Sequence, residues 1–326
     1  MNGPWTWHGG GLAAARQRFS VSAKGSDWID LSTGINPHPW PGADALVFDW
    51  QRLPDPQDLA RLEAVAARYF GVDPRHVCAV PGTELGLRLA GSLIGGPACH
   101  VVPGYRTHGA MIAGSVATGW AGAQNADGNL ILANPANPDG RTIAADTMLE
   151  LLDRRSGWLL VDEAFADADP ALSVAASVAD GKRLIVFRSF GKFFGLAGVR
   201  LGFILAPQAI ATTLRERLGA WPLSAAAIAI GTAAYADAGW IATTRQCLPG
   251  DAAKLDTMLA RRGFRPAGAC PLFRLIETGD AAALFERLAR QAILTRPFED
   301  QPRWLRIGLP GGADALARLD AALADG

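Results

Sequence analysis

Lys192 is flanked by glycine and phenylalanine in the segment RSFGKFFGLAGVRLGF, which covers residues 188–203. The chain has 31 basic side chains, and lysine occurs only at Lys24, Lys182, Lys192 and Lys254. An arginine guanidinium stays protonated, whereas a lysine amine in an apolar pocket loses its proton more easily and can condense with an aldehyde. The other interpretation is a lysine that extends from a loop to solvent.

A phosphate-binding turn is the first candidate feature around this lysine. The segment VPGTE places Gly82 and Thr83 where a predicted strand leads into a helix, and backbone N–H groups at a helix N-terminus bind phosphate. A plain N-cap by Thr83, with Glu84 in the first turn, is the alternative. Two further candidate phosphate donors lie in the lysine segment, Ser189 and Arg200.

Three more predicted strand ends carry groups that suit an aromatic ring with polar substituents. Asp162 ends an apolar strand, where a carboxylate is costly unless it meets a cation. The segment NPANPDG offers the amides of Asn134 and Asn137, although Pro-Asp-Gly also forms a turn by itself. Tyr105 follows another strand and offers a ring face for stacking, with a core or surface tyrosine as the alternative.

Pyridoxal 5′-phosphate combines all of the groups that these side chains would bind. Its phosphate suits Gly82, Thr83, Ser189 and Arg200, with Glu84 beside them as a further cofactor-binding residue. Its ring nitrogen suits Asp162, and its aldehyde suits Lys192. Its phenolic oxygen suits Asn137, and its ring face suits Tyr105. In open α/β sheets, ligands bind at the carboxyl ends of the strands, where these residues are predicted to lie. The sequence therefore predicts pyridoxal 5′-phosphate as the cofactor.

The elements that position these residues alternate between helix-like and strand-like segments from about residue 57. Apolar runs bounded by Gly, Pro, Asn or Asp are typical of strands buried on both faces, and their alternation with helices favours an α/β fold with a mainly parallel sheet. After residue 208 the pattern changes to longer helices and a few strands. The predicted divisions are an N-terminal arm over 1–50, a large cofactor domain over 51–208 and a small domain over 209–326.

Composition limits the class of protein. The chain of 326 residues is 49% hydrophobic with a formal net charge of +0, so nucleic acid and anionic membranes are not expected partners. The cysteines are scattered without a CxxC pair, and neither they nor the histidines have metal-ligand spacing, so we expect no metal and a reduced, cytoplasmic location. The apolar segment WPLSAAAIAIGTAAYA is predicted to form a buried helix rather than a membrane span.

The ordered set NPANPDG, DEAF and SFGKFFGLAGVRLGF resembles the aspartate-aminotransferase superfamily of fold-type I pyridoxal-phosphate enzymes. The resemblance extends over nearly the whole chain, to a C-terminal LRIGLP. It implies a seven-stranded, mainly parallel sheet covered by helices, a small α+β domain and a homodimer. It also implies that Lys192 is the imine-forming lysine.

Two N-terminal segments indicate a particular subgroup of this superfamily. WHGGG (7–11) and DLSTGINPHPWP (30–41) are similar to the opening segments of the threonine-phosphate decarboxylases, the cobalamin-pathway relatives of the histidinol-phosphate aminotransferases. This resemblance implies decarboxylation of L-threonine O-3-phosphate to (R)-1-amino-2-propanol O-2-phosphate. The arm and Arg296 would hold the phosphate and Arg306 the carboxylate, although the two arginines could exchange roles. The expected substrate-binding residues are His8, Thr33, Gly34, Asn36, Arg296 and Arg306.

Two departures from the family pattern leave alternatives open. Phe165 stands where many of these aminotransferases have a tyrosine that bonds the cofactor's phenolic oxygen, which leaves Asn137 as the main donor there. Leu53 stands where they often have a tyrosine that reaches the neighbouring subunit's cofactor phosphate. The alternatives are an aminotransferase acting on histidinol phosphate or an aromatic amino acid, and a catalytically silent subunit of a corrinoid-pathway complex.

Overall fold

The computed structural model describes residues 4–19 and 27–324. Its contacts divide the chain into two compact units. Unit 1 contains the described residues up to His38, Pro138–Gly140 and the described residues from Arg245 onward. Unit 2 contains Pro39–Asn137 and Arg141–Thr244. The predicted arm over 1–50 includes residues 1–3 and 20–26, which lie outside the described residues.

The β-strands are short and mostly apolar. In chain order they are β1 (Ile29–Asp30), β2 (Val77–Val80), β3 (Ala98–Val101), β4 (Val116–Thr118), β5 (Asn129–Ala133), β6 (Leu159–Asp162), β7 (Leu184–Ser189), β8 (Gly202–Leu205), β9 (Phe273–Glu277), β10 (Ile293–Leu294), β11 (Arg296–Pro297) and β12 (Trp304–Gly308).

A mixed sheet of seven strands forms the centre of the described part of unit 2. Its strand order is β2-β8-β7-β6-β5-β3-β4, and β8 runs antiparallel to both of its neighbours while the other pairs are parallel. Every residue of β2, β6, β7 and β8 is buried, as the apolar runs predicted. The α/β fold class with a mainly parallel sheet is confirmed. The edge strand β4 escaped prediction because it has three residues, and Val116 on it is largely exposed.

The described part of the chain contains thirteen α-helices, several of which have the apolar periodicity of an amphipathic helix. They are α1 (Pro4–Trp7), α2 (Leu12–Arg18), α3 (Pro56–Phe70), α4 (Thr83–Ile94), α5 (Arg106–Ala110), α6 (Trp120–Ala123), α7 (Ala145–Asp153), α8 (Phe190–Phe193), α9 (Gln208–Leu218), α10 (Ala225–Ala236), α11 (Ala238–Arg261), α12 (Ala281–Arg290) and α13 (Ala313–Ala324). Helix α3 begins where the Asp55 side chain accepts the Gln57 N–H, and it ends at left-handed Gly71.

The contacts divide the chain differently from the domain boundary that the sequence predicted at residue 208. Helices α9 and α10 pack on β2 and α3, so they belong to unit 2, which continues to Thr244. The predicted boundary at residue 208 marks where strands become rare in the sequence. The contacts between elements change later in the chain, after Thr244. The longer helices that the sequence predicted after residue 208 are α9, α10 and α11.

Unit 1 contains two small sheets among its described residues. Strands β11, β12 and β9 form an antiparallel sheet in that order, and β1 pairs in parallel with β10. In the register of the first sheet, Arg296 of β11 lies opposite Arg306 of β12. This sheet therefore positions two of the predicted substrate-binding side chains.

A helix that crosses a bilayer must be long and apolar. Within the described part of the chain, no single helix is long and apolar enough to do so. Helices α10 and α11 meet the length and composition criterion only as a pair, and they join at a bend of 74°.

Candidate active site

Lys192 lies on the short helix α8, directly after the buried strand β7. Its neighbours Phe190 and Phe193 are fully buried, and Lys192 itself is half-buried. The Lys192 Nζ atom lies 5.8 Å from the centre of the Phe165 ring. The lysine amine therefore lies beside an aromatic ring at the end of a buried strand.

Asp162 ends β6 in a buried position, where two donors hold its carboxylate. The Ala164 N–H donates to Oδ1 at 3.1 Å, and Nε2 of His108 lies 2.9 Å from Oδ2. His108 is on α5 and is fully buried. This distance fits a hydrogen bond in which His108 Nε2 donates to the carboxylate oxygen, which is an acceptor when ionised. The carboxylate is thereby fixed in one orientation.

Sequence reasoning missed His108. Apart from His8, which was assigned to the substrate, it considered the histidines only as metal ligands, and His108 has no partner at metal-ligand spacing in the sequence. The available signal was its place in VPGYRTHG, three residues after Tyr105 at the carboxyl end of β3. Among the residues that the structure describes, no group of three or more His, Cys, Asp and Glu side chains could hold a metal ion.

The predicted phosphate turn brings Gly82, Thr83 and Arg200 together. A Cβ atom on Gly82 would lie 2.3 Å from Arg200 Nη2, and Gly82 has a φ of 87°, so both the space and the backbone require glycine. A Cβ on Gly202 would lie 2.8 Å from the Thr83 nitrogen, which shows how closely β8 approaches this turn. The turn combines a helix N-terminus with a guanidinium, and these are complementary to a phosphate.

Ser189 ends β7 beside this turn. It is buried and directly precedes α8. The Gly202–Ser189 strand pair connects the two segments, because β8 begins at Gly202. The structure therefore brings together the residues that the sequence assigned to a phosphate.

The Glu84 side chain turns toward other side chains of unit 2. It accepts hydrogen bonds from Thr107 Oγ1 at 2.7 Å, Tyr105 OH at 2.9 Å and Arg88 Nε at 2.7 Å. Burial, followed by the nearby charge of Glu84, raises the pKa of Tyr105 to about 12. Tyr105 therefore remains a hydrogen-bond donor at neutral pH. The Tyr105 ring meets the His108 ring edge-on at 5.8 Å.

The two asparagines of NPANPDG have different roles. Asn134 is fully buried, and its Nδ2 donates to the carbonyls of Ile143 and Leu172 at 2.9 and 3.0 Å. Its Oδ1 accepts the Ile143 N–H at 2.9 Å. The sequence interpretation that both amides could face a ligand is therefore wrong for Asn134, which ties loops together. Asn137 is half-buried at the end of this segment in unit 2.

Arg296 and Arg306 form a pair of like charges in unit 1. They lie opposite each other on β11 and β12, and both are buried. Burial, followed by the charge of Arg296, lowers the pKa of Arg306 well below its ordinary value. The charge of Asp30 acts in the opposite direction and raises the pKa of Arg306. The pair is suited to bind a phosphate or a carboxylate.

The glycine-rich arm packs against the segment that follows β1. The Gly10 N–H donates to Ser32 Oγ at 2.7 Å, and a Cβ on Gly9 would lie 2.4 Å from the Ser32 carbonyl oxygen. That carbonyl accepts a hydrogen bond from Arg306 Nη2 at 2.5 Å. The arm is therefore connected to Arg306 through Ser32.

The remaining predicted substrate residues lie on the same two segments of unit 1. His8 is exposed, Thr33 is half-buried, and Gly34 and Asn36 are buried. Asn36 Oδ1 accepts the His38 N–H at 3.0 Å, which shapes its own turn. A Cβ on Gly308 would lie 2.4 Å from the Thr33 carbonyl oxygen, so the end of β12 approaches this segment closely.

Comparison with known proteins identifies the family. Residues 120–319 match the family model for aminotransferase class I and II. The chain belongs to the aminotransferase class I and II family. The predicted superfamily is confirmed, and so is pyridoxal 5′-phosphate as the cofactor.

Two curated relatives in this family are similar over almost their entire length. The chain is 40% identical to a threonine-phosphate decarboxylase of a Sinorhizobium species, over 96% of this chain and 98% of the relative. It is 39% identical to a threonine-phosphate decarboxylase of Pseudomonas aeruginosa, over 97% of this chain and 96% of the relative. The crystal structure of a histidinol-phosphate aminotransferase from Sinorhizobium meliloti, in complex with pyridoxal-5′-phosphate, superposes with a TM-score of 0.81 at 22% identity. That match covers 96% of this chain and 94% of the other, and it shows the aminotransferase class I and II fold.

Proposed function

We propose that the chain is a pyridoxal-phosphate-dependent carboxy-lyase that converts L-threonine O-3-phosphate to carbon dioxide and (R)-1-amino-2-propanol O-2-phosphate. The observation that carries this proposal is the similarity, at about 40% identity over nearly full length, to two threonine-phosphate decarboxylases. The pathway that fits this product is cobalamin biosynthesis, as the N-terminal resemblance implied.

The residues of unit 2 fit the cofactor. Backbone N–H groups of Thr83 and Glu84 begin α4, and Gly82 leaves room for the Arg200 guanidinium beside them. These groups, with Ser189, would hold the phosphate. Asn137 would donate to the phenolic oxygen, and Tyr105 would contact the ring. When bound, the cofactor withdraws electrons from the substrate α-carbon.

Asp162 would keep a proton on the ring nitrogen. At roughly 4 Å and an effective dielectric constant near 20, such a charge pair contributes about 4 kcal/mol. If most of this acts in the transition state, loss of the charge lowers the rate by about 10³-fold. His108 and the Ala164 N–H hold the carboxylate in the orientation that this role requires.

Lys192 has two tasks in the proposed reaction. Its amine would hold the cofactor at the aldehyde group. Loss of carbon dioxide leaves an electron pair on the α-carbon, so a proton must be added there. We assign its delivery to the Lys192 Nζ ammonium, whose proton comes from the substrate's own ammonium group. The Phe165 ring, whose centre lies 5.8 Å from Lys192 Nζ, limits the approach of water from that side.

The anionic groups of the substrate require cations in unit 1. We assign the phosphate to Arg296, with His8, Thr33, Gly34 and Asn36 as further donors, and the carboxylate to Arg306. The cross-strand pairing of two buried arginines supports a substrate with two anionic groups. Anchoring the phosphate and the carboxylate at separate arginines would fix the orientation of the substrate α-carbon, so binding energy at the distant phosphate can select the bond to the carboxylate for cleavage.

We further propose a cytoplasmic homodimer. Unit 2 exposes several large apolar side chains, and such side chains in one compact unit suit an interface. Their exposed fractions are Val47 97%, Trp50 73%, Leu53 65% and Trp221 55%. Light scattering of the purified protein tests the mass, and a monomer at micromolar concentration would contradict this proposal.

The deciding experiment supplies L-threonine O-3-phosphate alone to the cofactor-loaded protein and identifies the products by mass. Carbon dioxide and 1-amino-2-propanol O-2-phosphate are expected without any added 2-oxo acid. A second reaction supplies histidinol phosphate with 2-oxoglutarate. Glutamate in the second reaction, with no carbon dioxide in the first, would establish an aminotransferase instead.

A further inference from the structure

A buried ion cluster lies directly behind the candidate catalytic residues of unit 2. Arg188 Nη1 donates to Glu163 Oε2 at 2.6 Å and to Ser173 Oγ at 3.0 Å, and Nη2 donates to Asp167 Oδ1. The Glu163 and Asp167 side chains are fully buried, and that of Arg188 is 3% exposed. One guanidinium therefore binds two carboxylates away from solvent.

The cluster occupies the other face of the sheet from Asp162. Neighbouring side chains of a strand point to opposite faces, and Asp162 pairs with Phe187 in the parallel register of β6 and β7. Glu163 and Arg188 each come one residue later, and the Glu163 N–H donates to the Phe187 carbonyl at 2.9 Å. The cluster thus connects the ends of β6 and β7 on the face of the sheet opposite Asp162.

The chain positions of the three ionic residues connect them to the reacting groups. Glu163 directly follows Asp162, and Asp167 comes two residues after Phe165. Arg188 directly precedes Ser189, and Lys192 comes four residues after Arg188. A single side chain therefore binds both ends of the turn that carries Phe165, from the strand that leads to Lys192.

Charge and packing hold this arrangement in place. Burial raises the pKa of Glu163, against the lowering effect of Arg188. For Arg188, burial lowers the pKa, but the charges of Asp167 and Glu163 together raise it above its ordinary value. The Arg188 guanidinium also lies 4.9 Å from the Phe70 ring centre. The planar, two-sided guanidinium matches both carboxylates in a way that a lysine cannot.

We infer that Arg188 is a positioning residue, which sets the geometry of Asp162 and Phe165 relative to Lys192 by binding both Glu163 and Asp167. This inference deepens the proposed function and rests on it. A buried ion pair is often no more stabilising than apolar residues of similar volume, so stability alone is a weak reason for the cluster. A stronger reason is that the cluster fixes the orientation of two strand ends that carry reacting groups, because small displacements of such groups lower the reaction rate.

The test compares substitutions of Asp167 in the cofactor-loaded protein. Asp167→Ala releases one end of the turn, whereas Asp167→Asn keeps an oxygen that accepts from Arg188 Nη2. We expect Asp167→Ala to lower kcat for phosphothreonine by about tenfold or more with KM changed by less than about threefold, because the substrate anion residues lie in unit 1. Asp167→Asn should restore kcat to within about threefold of the unsubstituted enzyme. The visible absorption maximum of the bound cofactor should shift in Asp167→Ala only.

Arg188→Lys and Arg215→Lys separate positioning from stability. Arg188→Lys keeps a charge but loses the second carboxylate contact, so it should behave like Asp167→Ala. Arg215 is the matched control, since it binds Glu63 and the Val77 carbonyl in the same unit without touching the predicted site residues. Arg215→Lys should lower the thermal midpoint but leave kcat and the absorption maximum unchanged.

The outcomes are distinguishable. If Asp167→Ala and Arg188→Lys lower the thermal midpoint but keep kcat and the absorption maximum, the cluster is structural only and the inference is overturned. If Arg188→Lys does not fold, the comparison of Asp167→Ala with Asp167→Asn decides the question alone, because both variants retain the Arg188–Glu163 contact. If the unsubstituted enzyme releases no carbon dioxide from phosphothreonine, the proposed function fails, while the absorption maximum still tests the positioning.

Discussion

His108 Nε2 lies 2.9 Å from Asp162 Oδ2, and both side chains are buried. The two residues are 54 positions apart in the chain, and they meet because β3 and β6 both end at the same edge of the sheet. A buried carboxylate with one donor on each oxygen cannot rotate freely. The electrostatic role proposed for Asp162 therefore depends on a residue that does not itself need to touch the cofactor.

Replacement of His108 by leucine should lower kcat without unfolding the protein. A hydrogen bond to a charged group contributes about 1.5–3 kcal/mol, which corresponds to roughly 10- to 100-fold in rate if it is needed in the transition state. Steady-state kinetics at saturating cofactor measures the effect, and circular dichroism checks the fold. His108→Gln, which keeps an N–H donor, should lose less. A kcat for His108→Leu equal to that of the unsubstituted enzyme would show that the Ala164 N–H alone orients Asp162.

Replacement of Lys192 by alanine should abolish the covalent link to the cofactor. The protein should lose its visible absorption band, and borohydride treatment should no longer fix the cofactor to the chain. Lys182→Ala is the matched control, because Lys182 is an exposed lysine of the same unit. Mass spectrometry of borohydride-treated peptides measures the result. A reduced adduct on another lysine of Lys192→Ala would assign the chemistry elsewhere.

Much of the fold followed from the sequence because buried strands have a clear pattern. The predicted helix over PQDLARLEAVAARYF coincides with α3, and the apolar runs before Asp162 and Lys192 became β6 and β7. Once those strands were expected to be parallel, their polar ends had to lie at one edge. This is why Asp162 and Ser189 could be grouped before their distances were known.

The sequence failed where a side chain's partner lies far along the chain. Asn134 and Asn137 occur in one motif, yet the side-chain amide of Asn134 makes its hydrogen bonds to the backbone of Ile143 and Leu172. The buried contact between His108 and Asp162 likewise has no local signature. Residue type and spacing give the possible chemistry of a group, whereas burial and the positions of distant loops decide whether that group faces a ligand.

Glu84 should make the free energy of unfolding depend on pH. Although burial raises its pKa, the hydrogen bonds from Thr107, Arg88 and Tyr105 and the charge of Arg88 lower it overall. A carboxyl group whose pKa is lower in the folded state stabilises the protein above its ordinary pKa, and this stability is lost as the pH falls through the folded value.

Replacement of Glu84 by glutamine should therefore reduce the free energy of unfolding at pH 7. Because the side chain is 37% exposed, we expect only about 0.5–1 kcal/mol. Urea unfolding at pH 7 and again below the ordinary glutamate value of 4.5 measures the difference. The gap between the two proteins should narrow at the lower pH. A gap that stays constant would mean that Glu84 acts through packing rather than charge.

Arg296 and Arg306 should differ in their effects on phosphorylated and unphosphorylated substrates. If Arg296 binds the phosphate, Arg296→Ala should reduce kcat/KM for phosphothreonine by about 10²-fold or more and change the slow reaction of threonine little. Arg306→Ala should impair both substrates, because both have the carboxylate. Arg303→Ala is the control, since Arg303 precedes β12 and its side chain is 64% exposed.

The comparison of the two substrates identifies the anion that each arginine binds, because the phosphate is the only group that differs between them. The opposite pattern, with Arg306→Ala selective for phosphothreonine, would exchange the two assignments but keep the paired-arginine site. Equal losses on both substrates for both variants would place the phosphate elsewhere, and His8→Ala and Asn36→Ala would then be the variants to measure. Removal of the phosphate should lower kcat as well as affinity, because the energy of binding a distant group can be used to orient the bond that breaks.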